Sequence, residues 1–315
     1  MIRPAAKEGM HRRNRFRGGY DFAALASRSP ALETFVKVNP HGDPSIDYAD
    51  ADAVKALNQA LLLAAYGLRW DIPPRSLCPP VPGRSDAIHH LADLLAADTG
   101  GAIPRGPSVR VLDVGMGPNC IYPLIGASEY GWRFVGSEAD PVALRWAQKL
   151  VVSNPAVKNL IECRPQPSPA AIFTNVIRPG EIFDLSMCNP PFHASAAEAG
   201  AGTTRKLRNL RGAKSGAPVL NFGGRAGELW CPGGEVGFVR RMIAESVAFC
   251  DQCRWFTTLV SKSAHLPRLH QALREVEPRD VKTIEMSQGQ KQSRILAWTF
   301  QRTARASARP ARSRG

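Results

Sequence analysis

The chain lacks any apolar run long enough to cross a bilayer; its longest, Ala60-Leu61-Leu62-Leu63-Ala64-Ala65-Tyr66, falls well short of a membrane span. Nor is there an apolar core of signal-peptide length near residue 1, so the expectation is a cytoplasmic protein with no membrane role. Seven cysteines, odd in number and scattered at 78, 120, 163, 188, 231, 250 and 253, do not make a disulfide framework. Cys250-Asp251-Gln252-Cys253 has metal or redox spacing, but no second pair or histidine accompanies it, and no metal is expected. Acid is scarce at both ends: residues 1–17 hold six Lys/Arg against Glu8 alone, and residues 301–315 hold five Arg and no acid. The two ends supply ten of the formal +14 charges. Neither has apolar periodicity, which predicts disordered tails over 1–20 and 301–315 that gather phosphate backbone without reading sequence, or merely solubilise.

What is present suffices for a sizeable core, with 44% hydrophobic residues in 315. Residues 21–106 read as a helical N-terminal extension, with short helices over 21–26 and 31–38, an amphipathic one over 51–66, and another over 86–97 after the stiff segment 78–84. From 107 to 300 apolar strands and amphipathic helices alternate, as an α/β parallel sheet requires. The strands are predicted at 109–114, 132–137, 160–164, 183–188, 254–261, 280–287 and 293–300. The last two are too close for a helical crossover and should pair antiparallel. Seven strands ending in such a hairpin describe the Rossmann-like class I sheet of adenosylmethionine-dependent methyltransferases.

Two turns carry the chemistry. The strand 109–114, which includes Asp113, runs into Gly115-Met116-Gly117-Pro118, where two glycines let backbone approach a ligand and Pro118 suits a first helical turn. The third glycine of a dinucleotide fingerprint is missing, which favours a smaller adenosyl ligand over a pyrophosphate. Glu138, at the end of the next strand, stands where an acid meets ribose hydroxyls in such folds.

The second turn, Asn189-Pro190-Pro191-Phe192, follows the strand 183–188. A conjugated amine is a poor nucleophile because its lone pair is delocalised, so it must be polarised in place. Asn189 can accept from the amine through its side-chain oxygen, and Pro190 can accept through its carbonyl. Pro191 keeps the backbone extended, and Phe192 offers a flat face for a base to stack on. The pattern points to methyl transfer onto a planar nitrogen. It is shared by RNA adenine-N6, RNA guanine-N2 and protein glutamine methylation, while a non-catalytic RNA-binding assembly factor keeping the same fold is the alternative of another class. The insertion 194–234 carries Arg205, Lys206, Arg208, Arg211, Lys214 and Arg225 with no acid between Glu198 and Glu228, which suits a polyanionic substrate. Lys291 and Arg294, in the polar loop 287–294, are further RNA-contact candidates.

The chain resembles the ribosomal RNA large subunit methyltransferase F family. The likeness is carried by Pro80-Val81-Pro82-Gly83-Arg84, Asn119-Cys120-Ile121-Tyr122-Pro123, Glu129 to Phe134, Cys188 to His193, Leu220 to Gly224, Glu228-Leu229-Trp230-Cys231 and Gln288 to Arg294. The resemblance implies an N6-adenine methyltransferase acting on 23S ribosomal RNA or a large-subunit assembly intermediate; a monomer is expected. It also implies S-adenosyl-L-methionine held by Arg84 through its carboxylate, by the Gly115–Gly117 turn with Asp113 and Asn189, and by Glu138 through the ribose.

Overall fold

The computed structural model describes residues 9–74, 76–195, 230–288 and 291–302. Its centre is a seven-stranded sheet made of β3 (Arg110–Val114), β4 (Arg133–Glu138), β5 (Ile161–Pro165), β6 (Phe183–Cys188), β7 (Cys253–Val260), β8 (Asp280–Gln288) and β9 (Lys291–Thr299). The strand order is β5-β4-β3-β6-β7-β9-β8, and all pairings are parallel except those of β9 with β7 and with β8. Every expected strand is present within two residues of its expected bounds. The chain leaves β3 in one direction, builds β4 and β5, and returns to place β6 on the other side of β3. That reversal is the topological switch point where open α/β sheets bind ligands beyond the strands' carboxyl ends.

Residue alternation divides the core in two. Val111, Leu185 and Met187 face one apolar layer, against helices α4 (Val81–Asp98) and α5 (Ile121–Tyr130). Leu112, Val114 and Cys188 face the other, against α7 (Gly234–Ser246) and α8 (Leu266–Val276). Asp113 falls on the first face, so this buried acid points toward the helix that carries Arg84.

The N-terminal region departs from expectation in three places. Helix α1 (Phe22–Arg28) forms as read, but α2 stops at Pro30–Glu33, and Lys37–Val38 pairs instead with Pro44–Ser45 as the ribbon β1–β2. β-branched Val36 and Val38 favour extended backbone, and Asn39 closes the turn by accepting from the His41 and Asp43 amides at 2.8 and 3.0 Å. Second, α4 begins five residues early at Val81, because Pro82 is suited to a first helical turn. Arg84 is thereby a helical residue.

Third, the tail expected over 1–20 is built into the fold from residue 9 onward. Asn14 donates to the Pro82 carbonyl and Asp86, and Arg13 pairs with Asp93 at 2.8 Å while donating to the His89 carbonyl and Tyr130 hydroxyl. These bonds order the segment without any apolar periodicity. The extension is also continuous with the catalytic core: Leu57 and Trp70, from α3 (Ala51–Tyr66) and the segment after it, share a cluster with Ile121 and Phe134. Among the described residues, no helix is long and apolar enough to cross a membrane.

Candidate active site

Strand register assembles the site. Val114 is paired with Ser137 on one side and Cys188 on the other, so the next residues, Gly115, Glu138 and Asn189, emerge together at the sheet's carboxyl edge. They open onto a cavity of about 450 Å³ whose wall also includes Arg84, Gly117 and Pro191. Five of the cofactor residues read from sequence or resemblance, Arg84, Gly115, Gly117, Glu138 and Asn189, therefore meet in one place. Asp113, Pro190 and Phe192 are not among the residues that line the cavity, although their chain neighbours Val114, Asn189 and Pro191 are.

The glycine turn is tied to β4. The Met116 amide donates to the Ser137 carbonyl and the Gly117 amide to Glu138 Oε2, both at 3.0 Å. Gly115 and Gly117 have φ of +68° and +66°, in the left-handed region that disfavours a side chain. A Cβ on Gly115 would meet no atom within 4 Å, so the backbone there lies bare to the cavity. The Asp140 amide holds Glu138 Oε1 at 2.9 Å. Burial raises the Glu138 pKa, opposed by these amides. Each carboxylate oxygen retains a second lone pair, enough to accept from a diol.

The opposite end is arranged around Arg84, in the first turn of α4. Its guanidinium donates to the Tyr122 hydroxyl and lies 5.2 Å from that ring's centre, while Nε is buried with no hydrogen-bond partner. Burial pushes the Asp113 carboxyl well above its ordinary pKa; Arg84 pulls against that shift and Glu138 adds to it. Asp113 Oδ2 and Asn189 Oδ1 are likewise buried acceptors without partners. Buried polar groups are normally satisfied, and each exception asks for a ligand or a function. A guanidinium donor, two vacant acceptors, a bare glycine turn and a pinned carboxylate match the carboxylate, ammonium, adenosyl and ribose groups of adenosylmethionine.

Several wall residues carry no signal in sequence. Tyr122, Trp230 and Cys231 occur in recognisable strings but without a role, and Gln166, Ile172, Phe238 and Arg241 are brought in by tertiary folding alone. Gln166 joins the site because its amide donates to the Glu138 carbonyl at 2.9 Å. The amides of Ile172, Phe173 and Thr174 all donate to the Glu245 carboxylate of α7, at 2.9, 2.9 and 2.7 Å, which fixes that loop against the cavity. Trp230 forms a backbone bridge with His193, and the Cys231 amide donates to the His193 carbonyl at 3.1 Å, clasping the residue just after Phe192. From the extension, Leu77 and Pro79 complete the wall, and Trp70 Nε1 donates to the Asn119 carbonyl at 2.8 Å.

The RNA-contact candidates fare differently. Arg205, Lys206, Arg208 and Arg211, with Lys214 and Arg225, lie outside the described residues, as does the side chain of Lys291. Arg294 is largely buried in β9 and donates to Glu285 at 3.0 Å. That pairing ties it to the neighbouring strand of the hairpin.

A family profile described as RNA methyltransferase matches residues 4–302. The ribosomal RNA large subunit methyltransferases F of Serratia proteamaculans and Methylobacillus flagellatus are each 54% identical to the chain. They align over 94% and 96% of it and over 89% and 94% of their own lengths. The chain belongs to the ribosomal RNA large subunit methyltransferase F family. Among solved structures, this methyltransferase resembles the hMettl16 catalytic domain in complex with a MAT2A 3′UTR hairpin. The TM-score is 0.79 at 34% identity, covering 93% of this chain and 96% of that one. The N-terminal domain of human METTL16 in complex with SAH gives 0.73 at 30% identity, covering 93% and 99%.

Proposed function

We propose that this methyltransferase transfers a methyl group from S-adenosyl-L-methionine to N6 of one adenine in large-subunit ribosomal RNA, as a cytoplasmic monomer without a metal. The observation that carries the reading is the buried, unpartnered Oδ1 of Asn189, which directly follows β6 and lines the same cavity as the glycine turn and Glu138. An acceptor in that position is of use to a group that donates hydrogen bonds, and a purine amine is such a group.

The steps on this chain are few. Arg84 takes the cofactor's carboxylate, Asp113 and the glycine turn hold its amino-acid and adenosyl parts, and Glu138 accepts from the ribose. The target base leaves its stack, as base-modifying enzymes require, and lies against Phe192. Asn189 Oδ1 and the Pro190 carbonyl accept the two amine hydrogens and draw the nitrogen toward sp3, freeing its lone pair. Bound adenosylmethionine supplies an electrophilic methyl on its sulfonium. Two prolines fix both acceptors beforehand, so positioning accounts for much of the acceleration. The methylated amine is acidic and gives its proton to Asn189, a carbonyl or water.

Incubation with labelled adenosylmethionine and either large-subunit RNA from cells lacking the enzyme or a glutamine-bearing translation factor tests the acceptor class. Label in RNA alone supports the reading. Label in protein overturns the substrate, and cofactor binding without transfer to either makes the chain a non-catalytic binding protein.

A further inference from the structure

Among the described residues, two cations line the cavity, Arg84 and Arg241. Arg84 contacts Tyr122 and is the charge partner of Asp113, at the end assigned to the cofactor's amino acid. Arg241, on α7, lies beside Cys231 and opposes the rise that burial imposes on that thiol's pKa. Cys231 is itself bonded to His193, the residue after Phe192. This chain of contacts places Arg241 at the acceptor end. Its guanidinium carbon lies 5.6 Å from the Phe238 ring centre, within cation–π range. Its Nε is buried and has no hydrogen-bond partner. Among the described residues no carboxylate pairs with it; the neighbouring acid one turn along α7, Glu245, is taken by the amides of residues 172–174.

The charges of the reactants leave Arg241 unmatched. The cofactor has one carboxylate, which Arg84 is placed to take, and adenine is neutral. What remains anionic at the acceptor end is the sugar-phosphate backbone of the nucleotide whose base has entered. We propose that Arg241 binds the phosphodiester of that extruded nucleotide, so that the pocket holds the target by its phosphate as well as by its base. The inference rests on the RNA reading above. Phosphate is the anion a planar guanidinium recognises best, through two parallel N–H donors.

The test compares the intact chain with Arg241→Met, which keeps the stem and drops the charge, and with Arg241→Lys, which keeps the charge. Each is measured for affinity toward large-subunit RNA from cells lacking the enzyme, across a salt series, and for affinity toward S-adenosylhomocysteine. One lost phosphate contact reduces the slope of log affinity against log salt by roughly 0.7 to 0.9. For Arg241→Met the expected result is that reduction, with RNA binding weakened on the order of tenfold at moderate salt and S-adenosylhomocysteine affinity within twofold. Arg241→Lys retains the slope. Equal losses in both variants at an unchanged slope would mean that Arg241 only braces Cys231, and a loss confined to S-adenosylhomocysteine would make it a cofactor ligand; either overturns the proposal. If the intact chain binds S-adenosylhomocysteine but shows no salt-dependent RNA binding, the RNA reading itself fails. Thermal unfolding of each variant separates misfolding from lost contact, and Arg241→Gln, which also drops the charge, carries the slope comparison if Arg241→Met does not fold.

Discussion

Replacing Asn189 with alanine separates function from stability in a way the structure makes quantitative. Oδ1 of Asn189 is buried without a partner, so the fold already bears the cost of desolvating it, about 1–3 kcal/mol for an unsatisfied polar group. Truncation removes that group from the wall of an existing cavity, so it leaves no new void in the packed core. The melting temperature of Asn189→Ala should therefore equal or exceed that of the parent. Turnover should behave oppositely. The acceptor acts on charge that develops at the amine during attack, and losing one such preorganised contact costs about 2.7–4 kcal/mol, or roughly 10²–10³ in rate. Affinity for S-adenosylhomocysteine, measured by calorimetry, should stay within a few-fold because Arg84, Glu138 and the glycine turn remain. Single-turnover methylation at saturating cofactor reads the chemical step directly. Turnover within tenfold of the parent would refute the assigned role, and a fall in melting temperature would refute the reasoning about the unpaired oxygen.

Three further outcomes follow from the same geometry. Arg84→Gln removes a charge-assisted contact of about 1.5–3 kcal/mol, so calorimetry should show S-adenosylhomocysteine binding weakened roughly 10- to 150-fold; unchanged affinity would detach Arg84 from the cofactor. Gly117→Ala forces a side chain to φ +66°, at about 1–2 kcal/mol; the melting temperature should fall by several degrees and cofactor affinity at least tenfold, whereas an unaltered affinity would place the ligand elsewhere. Glu181 accepts from Arg164 at 2.6 and 2.8 Å and from Arg110 at 3.0 Å, and Arg164 holds its pKa down to about 2, against 4.5 for an ordinary Glu. Because the folded pKa is depressed, its stabilising effect is complete above about pH 4.5 and is lost as pH falls toward 2. The melting temperature of the parent should drop more steeply than that of Glu181→Gln across that window, and parallel curves would show that the pair contributes nothing.

Much of the catalytic sheet is legible in the sequence because parallel strands covered on both faces read as continuous apolar runs. Val109 to Val114 and Phe183 to Cys188 approach such runs, broken only by Arg110 and Asp113 in the first and by Asp184 and Ser186 in the second, and the chemical demands on an amine acceptor single out Asn189. Arg84 is reached only through family likeness, since a helix-start arginine has no distinguishing pattern. Residues 9–20 read as a tail because polar bonds such as Asn14 to Pro82 leave no periodicity. Gln166, Phe238 and Arg241 are invisible for another reason: they become neighbours of Asn189 only after β5 and α7 have packed on the sheet. The Glu245 clamp spans more than seventy residues, beyond any local signal.

The most direct measurement is the identity of the modified base. RNA methylated by the purified protein is digested to nucleosides and resolved by mass spectrometry, beside a reaction with Asn189→Ala. The account predicts N6-methyladenosine at a single position, absent from the variant reaction. N2-methylguanosine would keep the fold and cofactor site but contradict the assigned target, and N6-methyladenosine undiminished in Asn189→Ala would contradict the mechanism.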